Sequence, residues 1–266
     1  MLIRRFMFTL LLPLVCACAP DASVQEGLAT RSGLLPSAEV QGSTTPAPGE
    51  LSPSGVVSNG FWPNALRPDS IPSTTLGALK VQALGGVVSR DFLRYAIGCA
   101  LDRSQAIKLD GPGGAEEYRG AVGLAPEWTE GPLSPAKQRW VSACVAARTN
   151  YFGVPVMLSM RAQASAQLAA GPEERSAFTG KEGAFWGNLF GETPALYTCH
   201  VPDNLERSRA RSRACATGHD TGSGIVGCGI IQRTGDCSSV CSAAADPSMG
   251  YAACNGSREV ITTFLE

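Results

Sequence analysis

The chain has 266 residues, a formal net charge of −1 and ten cysteines. So even a charge balance offers no broad electrostatic footprint for nucleic acid, and no nucleic-acid partner is expected. With a leader and a linker set aside, one domain of ordinary size remains, large enough to bury a core.

Arg4 and Arg5 precede an apolar run from Phe6 to Val15, broken only by Thr9 and Pro13, and small residues follow. That order marks a secretory leader. The run is too short to span a bilayer, which takes about 20 helical residues. Val15-Cys16-Ala17-Cys18 resembles the lipobox of bacterial lipoprotein precursors, with a small Ala just before the cysteine. Cys16 fits less well, because bulky Leu14 and Val15 would fill positions that want small side chains. The resemblance implies a signal peptide over residues 1–17, a lipid on Cys18 and a membrane as first partner. Ala19, standing where Asp would hold the protein back, implies sorting to the outer membrane of a diderm bacterium. Several acyl chains together would anchor the protein, since each buried CH₂ contributes roughly 0.8 kcal/mol. The plainer alternative is an ordinary leader cut after Ala17 or Ala19.

Residues 18–75 read as a flexible tether. They are rich in Ser, Thr, Pro and Gly, as in Gly42 to Gly49 and Leu51 to Gly55. Such a stretch buries too little surface to offset its ordering entropy. A five-residue spacing of Val56, Phe61, Leu66, Ile71, Leu76 and Val81 matches a pentapeptide coil at one position only, and Pro63, Pro68 and Pro72 interrupt it.

The domain is assigned to residues 76–266, its first helix opening near Ser89. Ser89 can cap a helix through Leu101, with Phe92, Leu93, Ala96, Ile97 and Ala100 on one face. Gln105–Leu109 and Tyr118–Leu124 alternate as strands around a turn at Asp110–Gly114. Ser134 and Pro135 start a second helix through Ala147. Gly153 closes that segment, and Val154–Met160 reads as a buried strand. Gly171–Glu174 opens a short helix, Glu182–Phe190 carries an aromatic stripe, and Glu259–Phe264 is a last strand. Helices and strands without regular βαβ alternation predict an α+β fold: one disulfide-stapled domain with a loop-rich, Cys-rich C-terminal part.

Four segments, Gly123–Trp128, Arg139–Cys144, Ala147–Gly153 and Glu182–Asn188, make residues 90–266 resemble uncharacterised exported proteins predicted from myxobacterial genomes. That resemblance implies export and transfers no catalytic residue.

Eight cysteines remain for the domain: Cys99, Cys144, Cys199, Cys215, Cys228, Cys237, Cys241 and Cys254. An even count in an exported domain predicts disulfides, although eight thiols allow 105 pairings. Cys99 and Cys144 each fall on a helix face expected to be buried, so they are paired; the other six are left open. A zinc site from Cys228, Cys237, Cys241 and Cys254 with His219 is the alternative. Only Cys237 and Cys241 meet the usual ligand spacing, and an oxidising compartment favours disulfides, so no metal and no cofactor is expected.

Catalytic signals are sparse. Asp220-Thr-Gly carries the triplet of aspartic proteases, which need two facing copies, and one is present. A polar Gly-rich turn explains it as well. His200 or His219 would be the imidazole base of a hydrolase, oriented by Asp203 or Asp220. A wall-degrading glycosidase would need two carboxylates about 5–9.5 Å apart. Glu182, beside Phe185 and Trp186, is its best acid, with Glu127, Glu173, Glu174 or Asp110 as partner. Arg207, Arg209, Arg211 and Arg213, if extended, line one face able to grip lipid phosphates or an acidic envelope polymer. The reading that follows is a cell-envelope lipoprotein with a non-catalytic binding or structural role. The rival is an envelope hydrolase acting on cell-wall polymer through Glu182.

Overall fold

The computed structural model describes residues 56–59, 75–86, 89–111, 114–150, 156–190, 192–217, 219–220, 225–226 and 228–266. For 56–59, 217, 219–220 and 225–226 the backbone alone is described. The expected leader, Cys18, Ala19 and residues 19–55 and 60–74 of the expected tether lie outside these ranges, as do Gly153 and Val154.

In chain order the elements are β1 (Val56–Asn59), α1 (Leu76–Leu84), α2 (Arg90–Ala100), β2 (Ala106–Gly111), β3 (Gly114–Arg119), α3 (Pro135–Ala147) and β4 (Val156–Arg161). Then come α4 (Pro172–Ala177), β5 (Gly180–Asn188), β6 (Ala195–His200), α5 (Leu205–Ala210), α6 (Ala214–Thr217), β7 (His219–Asp220) and β8 (Ile225–Val226). The chain ends with β9 (Ile231–Asp236), α7 (Cys237–Val240), β10 (Cys241–Ala243), β11 (Tyr251–Cys254) and β12 (Ile261–Leu265). The expected α+β class is what the chain adopts. Among the described residues no helix is long and apolar enough to cross a membrane.

A mixed six-stranded sheet, in the order β1-β4-β12-β5-β6-β9, organises the domain. Its pairs are antiparallel except β6 with β9. Strand periodicity sorts its side chains. Leu158, Met160, Phe185, Leu196, Ile231, Ile261 and Leu265 face the main core with α2 and α3. Alternate positions Ala184, Trp186, Tyr197 and Cys199 face a second cluster with Cys237, Cys254, Val260 and Tyr251. The sheet thus has helices on one side and the Cys-rich C-terminal module on the other.

Both helix caps expected from the sequence are in place. The Ser89 hydroxyl accepts from Phe92 N, and the Ser134 hydroxyl accepts from Lys137 N ahead of Pro135. Phe92, Leu93 and Ile97 are wholly buried, each contributing roughly 1.5–3 kcal/mol. The two helices pack together and are joined by Cys99–Cys144, with Cα atoms 5.9 Å apart.

Four expectations are corrected. First, Val56–Asn59 lies in the span read as tether, yet it pairs with β4 as an edge strand of the sheet, Val56 opposite Ser159. Val56 in a strand and Leu76 and Val81 in a helix also leave no pentapeptide coil at those positions. Second, α1 precedes the Ser89 helix, its Leu76, Leu79 and Ala83 buried.

Third, the strand expected to run to Leu124 stops at Arg119. Residues 121–125 turn back on the end of α2, where helix carbonyls lack internal partners. Ala121 N donates to Leu101 O at 2.8 Å, Val122 N to Gly98 O at 2.9 Å, Leu124 N to Cys99 O at 3.1 Å and Ala125 N to Ala100 O at 2.8 Å. Gly120 permits this approach, because a Cβ there would lie 2.1 Å from the Asp102 carbonyl oxygen. Fourth, the aromatic stripe is not one face: it falls largely in strand β5, which sends Phe185 and Trp186 to opposite faces of the sheet.

Candidate functional site

A groove of about 470 Å³ opens where the end of β5, the start of β6, α3 and the turn after β11 converge. Arg139, Trp186, Gly187, Asn188, Thr193, Ala195, Tyr197, Asn255 and Ser257 line it. Gly187 has φ 126°, and a Cβ there would lie 2.2 Å from Ala195 O, so only glycine lets the strands approach this closely. Trp186 and Tyr197 stack with ring centroids 5.9 Å apart and planes at 22°.

The polar wall is fixed in place. Arg139 forks onto Glu259, Nε to Oε2 at 2.8 Å and Nη2 to Oε1 at 3.1 Å. That hydrogen bonding holds the Glu259 carboxyl below the ordinary carboxylate range. Asn188 donates to Gln138 Oε1 at 3.1 Å and accepts from Phe190 N at 2.9 Å. Asn255 takes a left-handed backbone, φ 45°, which asparagine tolerates better than most residues. Among the described residues the lining contains no carboxylate, imidazole or thiol, and its cation, Arg139, is paired with Glu259.

Glu182, the expected acid, lies elsewhere, in a buried ion pair with Arg213. The ladder between β12 and β5 skips it: Thr263 faces Gly183 and Phe264 faces Lys181. This bulge turns Glu182 into the main core, where it and Arg213 have no side-chain exposure. Arg213 Nε donates to Oε1 at 3.1 Å and Oε2 at 3.2 Å, and Nη2 donates to Oε2 at 3.0 Å. The Ser208 hydroxyl adds a bond to Oε1 at 2.6 Å, and the Thr263 hydroxyl one to Oε2 at 2.7 Å. Arg213 also donates to Thr149 O at 3.1 Å and Ala147 O at 3.0 Å, satisfying carbonyls at the end of α3. A carboxylate so occupied and without side-chain exposure is closed off from any substrate.

Its proposed partners are scattered. Asp110, Glu127 and Glu173 are exposed on β2, a 3₁₀ turn and α4. Glu174 is buried in a different network. There the Ser159 hydroxyl donates to Oε1, and Arg161 donates to Ser159 Oγ at 2.8 Å and to Phe178 O at 2.7 Å. Burial raises the Glu174 pKa, against the pull of Ser159 and Arg161.

Of the other expected sites the structure describes only parts. His200 is half-buried on β6, its pKa lowered by burial and by Arg233, and its Nδ1 has no partner among the described residues. Asp203 is exposed in the turn that follows. His219 and Asp220 pair through β7 with β8, so the aspartate of the Asp-Thr-Gly triplet stands at the end of a strand. The side chains of both, and residues 221–224, lie outside the described ranges.

The arginine segment is not extended. Residues 205–210 coil into α5, which disperses the four guanidinium groups. Arg209 pairs with Glu206 at 2.8 Å and Arg211 with Glu266 at 3.0 Å. Arg207 lies against Gly180, and Arg213 is buried.

The remaining disulfides are Cys199–Cys237, Cys215–Cys228 and Cys241–Cys254. They divide the sulfurs of the zinc alternative, since Cys228 is committed to Cys215 and lies in the other core cluster.

Sequence reasoning missed Arg139, Asn188, Tyr197 and Asn255 as parts of one site. Trp186 was singled out for its ring, beside the wrong carboxylate. Comparison with family models, curated proteins and solved structures gives no match.

Proposed function

We propose that this chain is an exported lipoprotein, anchored through Cys18 to the outer membrane, whose domain binds a glycan strand of the cell envelope without cleaving it. The observation that carries the binding reading is the groove's chemistry: amide, hydroxyl and aromatic groups beside an ion-paired arginine, with no carboxylate or imidazole among the described lining residues. Sugar rings offer hydroxyls to amides and C–H groups to the faces of aromatic rings, so a polar wall beside an aromatic side chain suits them. Lipid phosphate is the weaker occupant, because Arg139 is neutralised by Glu259. Glycoside hydrolysis would need two facing carboxylates, and the described lining residues include none.

Cosedimentation with purified peptidoglycan sacculi tests the groove. The wild type should pellet with sacculi. Thr193→Trp, which fills the groove from an exposed position, should weaken that at least about tenfold, equal to 1.4 kcal/mol. Binding should stay level across neutral pH. It should weaken only as pH falls through the depressed Glu259 pKa, where protonation releases Arg139. Equal pelleting of Thr193→Trp, or soluble sugar appearing in the supernatant, rejects the reading.

The anchor has its own test. Cys18→Ala should move the protein from the membrane fraction to the soluble one, and the native N-terminus should carry an acyl mass on Cys18. A wild-type N-terminus without that mass would remove the lipid from the account.

A further inference from the structure

Two of the four disulfides touch each other. β6 supplies Cys199, α7 opens on Cys237, and Cys241 and Cys254 stand directly opposite across the β10–β11 pair. The bonds are Cys199–Cys237 and Cys241–Cys254, yet Cys199 Sγ lies 3.5 Å from Cys241 Sγ. The Sγ atoms of Cys199, Cys241 and Cys254 all lie within 4.8 Å of one another. Packing against Ala184, Trp186, Tyr197 and Val260 holds this group on one face of the sheet.

We propose that these four cysteines form a thiol–disulfide exchange site whose substrate is a dithiol. Cys241 is the entry, being partly exposed while Cys199, Cys237 and Cys254 are buried. A thiolate of the dithiol attacks Cys241 Sγ, and the Cys241–Cys254 bond breaks with its electron pair on Cys254. The second thiol of the dithiol then attacks its own sulfur in the mixed disulfide. Cys241 and Cys254 are left as thiols, and the dithiol leaves as a disulfide, having given up two electrons.

The close contact makes a second step available inside the protein. The Cys241 thiolate attacks Cys199 Sγ, forming Cys199–Cys241 as Cys199–Cys237 breaks. The electron pair departs on Cys237 sulfur, which takes a proton from water. No net oxidation or reduction occurs, so the two-electron-reduced protein interconverts among connectivities at one oxidation level. Cys99–Cys144 and Cys215–Cys228 belong to the main core and take no part.

Single-cysteine variants of the full chain test the migration directly. Cys254→Ala leaves Cys241 as a thiol beside the intact Cys199–Cys237 bond. After equilibration at about pH 8.5, near the thiol pKa, the sample is quenched with iodoacetamide and mapped without reduction. The expected map joins Cys199 to Cys237 in one fraction and to Cys241 in another, with the alkyl label on the cysteine left over. Cys237→Ala tests the reverse direction, and there the label should divide between Cys199 and Cys254. Label confined to Cys241 in the first variant and to Cys199 in the second overturns the exchange. Should either variant lose its native circular dichroism, wild type treated with one equivalent of dithiothreitol decides. A peptide joining residues 199 and 241 is expected, and its absence while native bonds open overturns the site.

Discussion

Replacing Arg213 with Met is expected to destabilise the domain by about 3–5 kcal/mol, the range for breaking one side of a buried ion pair. Three losses coincide. Glu182 keeps its charge with no side-chain exposure and loses the guanidinium that offset it. Ala147 O and Thr149 O lose their donors at the end of α3. The loop between α5 and α6 loses the contact that holds it to β5. For a domain of this size the midpoint should fall by about 2–4 °C per kcal/mol. Glu182→Leu combined with Arg213→Met removes both charges and should recover part of the loss. Recovery stays incomplete, because the two carbonyls lose their donors and the Ser208 and Thr263 hydroxyls keep only longer bonds, to Arg213 O at 3.3 Å and Gly183 O at 3.5 Å. Reversible urea unfolding with the disulfides intact gives both values and their coupling. A loss under about 1 kcal/mol for the single variant would mean that Glu182 escapes its charge by taking up a proton.

That network shows where sequence reading stops. The helices α2 and α3 were legible because cap, apolar spacing and turn chemistry agree within a dozen residues. The fold class followed from the same local signals. Glu182 was not legible, because its direction depends on a one-residue bulge opposite β12, roughly eighty positions away in the chain. Strand periodicity alone would have put it on the opposite face. Arg213 looked like one of four exposed arginines, although it alone of the four reaches the ends of α3 and β5. The β1 edge strand lies in a composition that reads as tether, since an edge strand can be held by its backbone ladder with little apolar signal of its own. The groove is harder still. Its lining comes from α3, β5, β6, the β5–β6 connection and the turn after β11, each contributing one to three residues that say nothing alone. Cysteine faces were readable on helices, where spacing fixes direction, and unreadable in the loop-rich end, where direction is set by the finished fold.

Removing the Cys99–Cys144 bond by double substitution to Ala is expected to cost about 4 kcal/mol. The cysteines are 45 residues apart, and the chain-entropy relation gives roughly that value for such a loop. Inside the loop lie the β2–β3 hairpin and the segment that caps α2. Opening it in the unfolded chain therefore frees the whole span between α2 and α3. The native state also loses packing, because both sulfurs are wholly buried between α2 and α3. Arg148 adds to the cost. It is buried with its guanidinium 4.5 Å from the Tyr95 ring centroid and Nη1 3.8 Å from Cys99 Sγ. Burial pulls its pKa down to about 10, so it stays charged at neutral pH and depends on these soft partners. Cys215–Cys228 closes only 13 residues, for which the same relation gives about 3 kcal/mol. Paired Ala substitutions at the two bonds, compared by urea unfolding, should thus rank Cys99–Cys144 as the costlier loss. If Cys215–Cys228 proves costlier, the loop term is not what the first bond contributes. Cys99–Cys144 would then stabilise through local packing around Arg148, and Arg148→Met in the intact disulfide background should reproduce most of its effect.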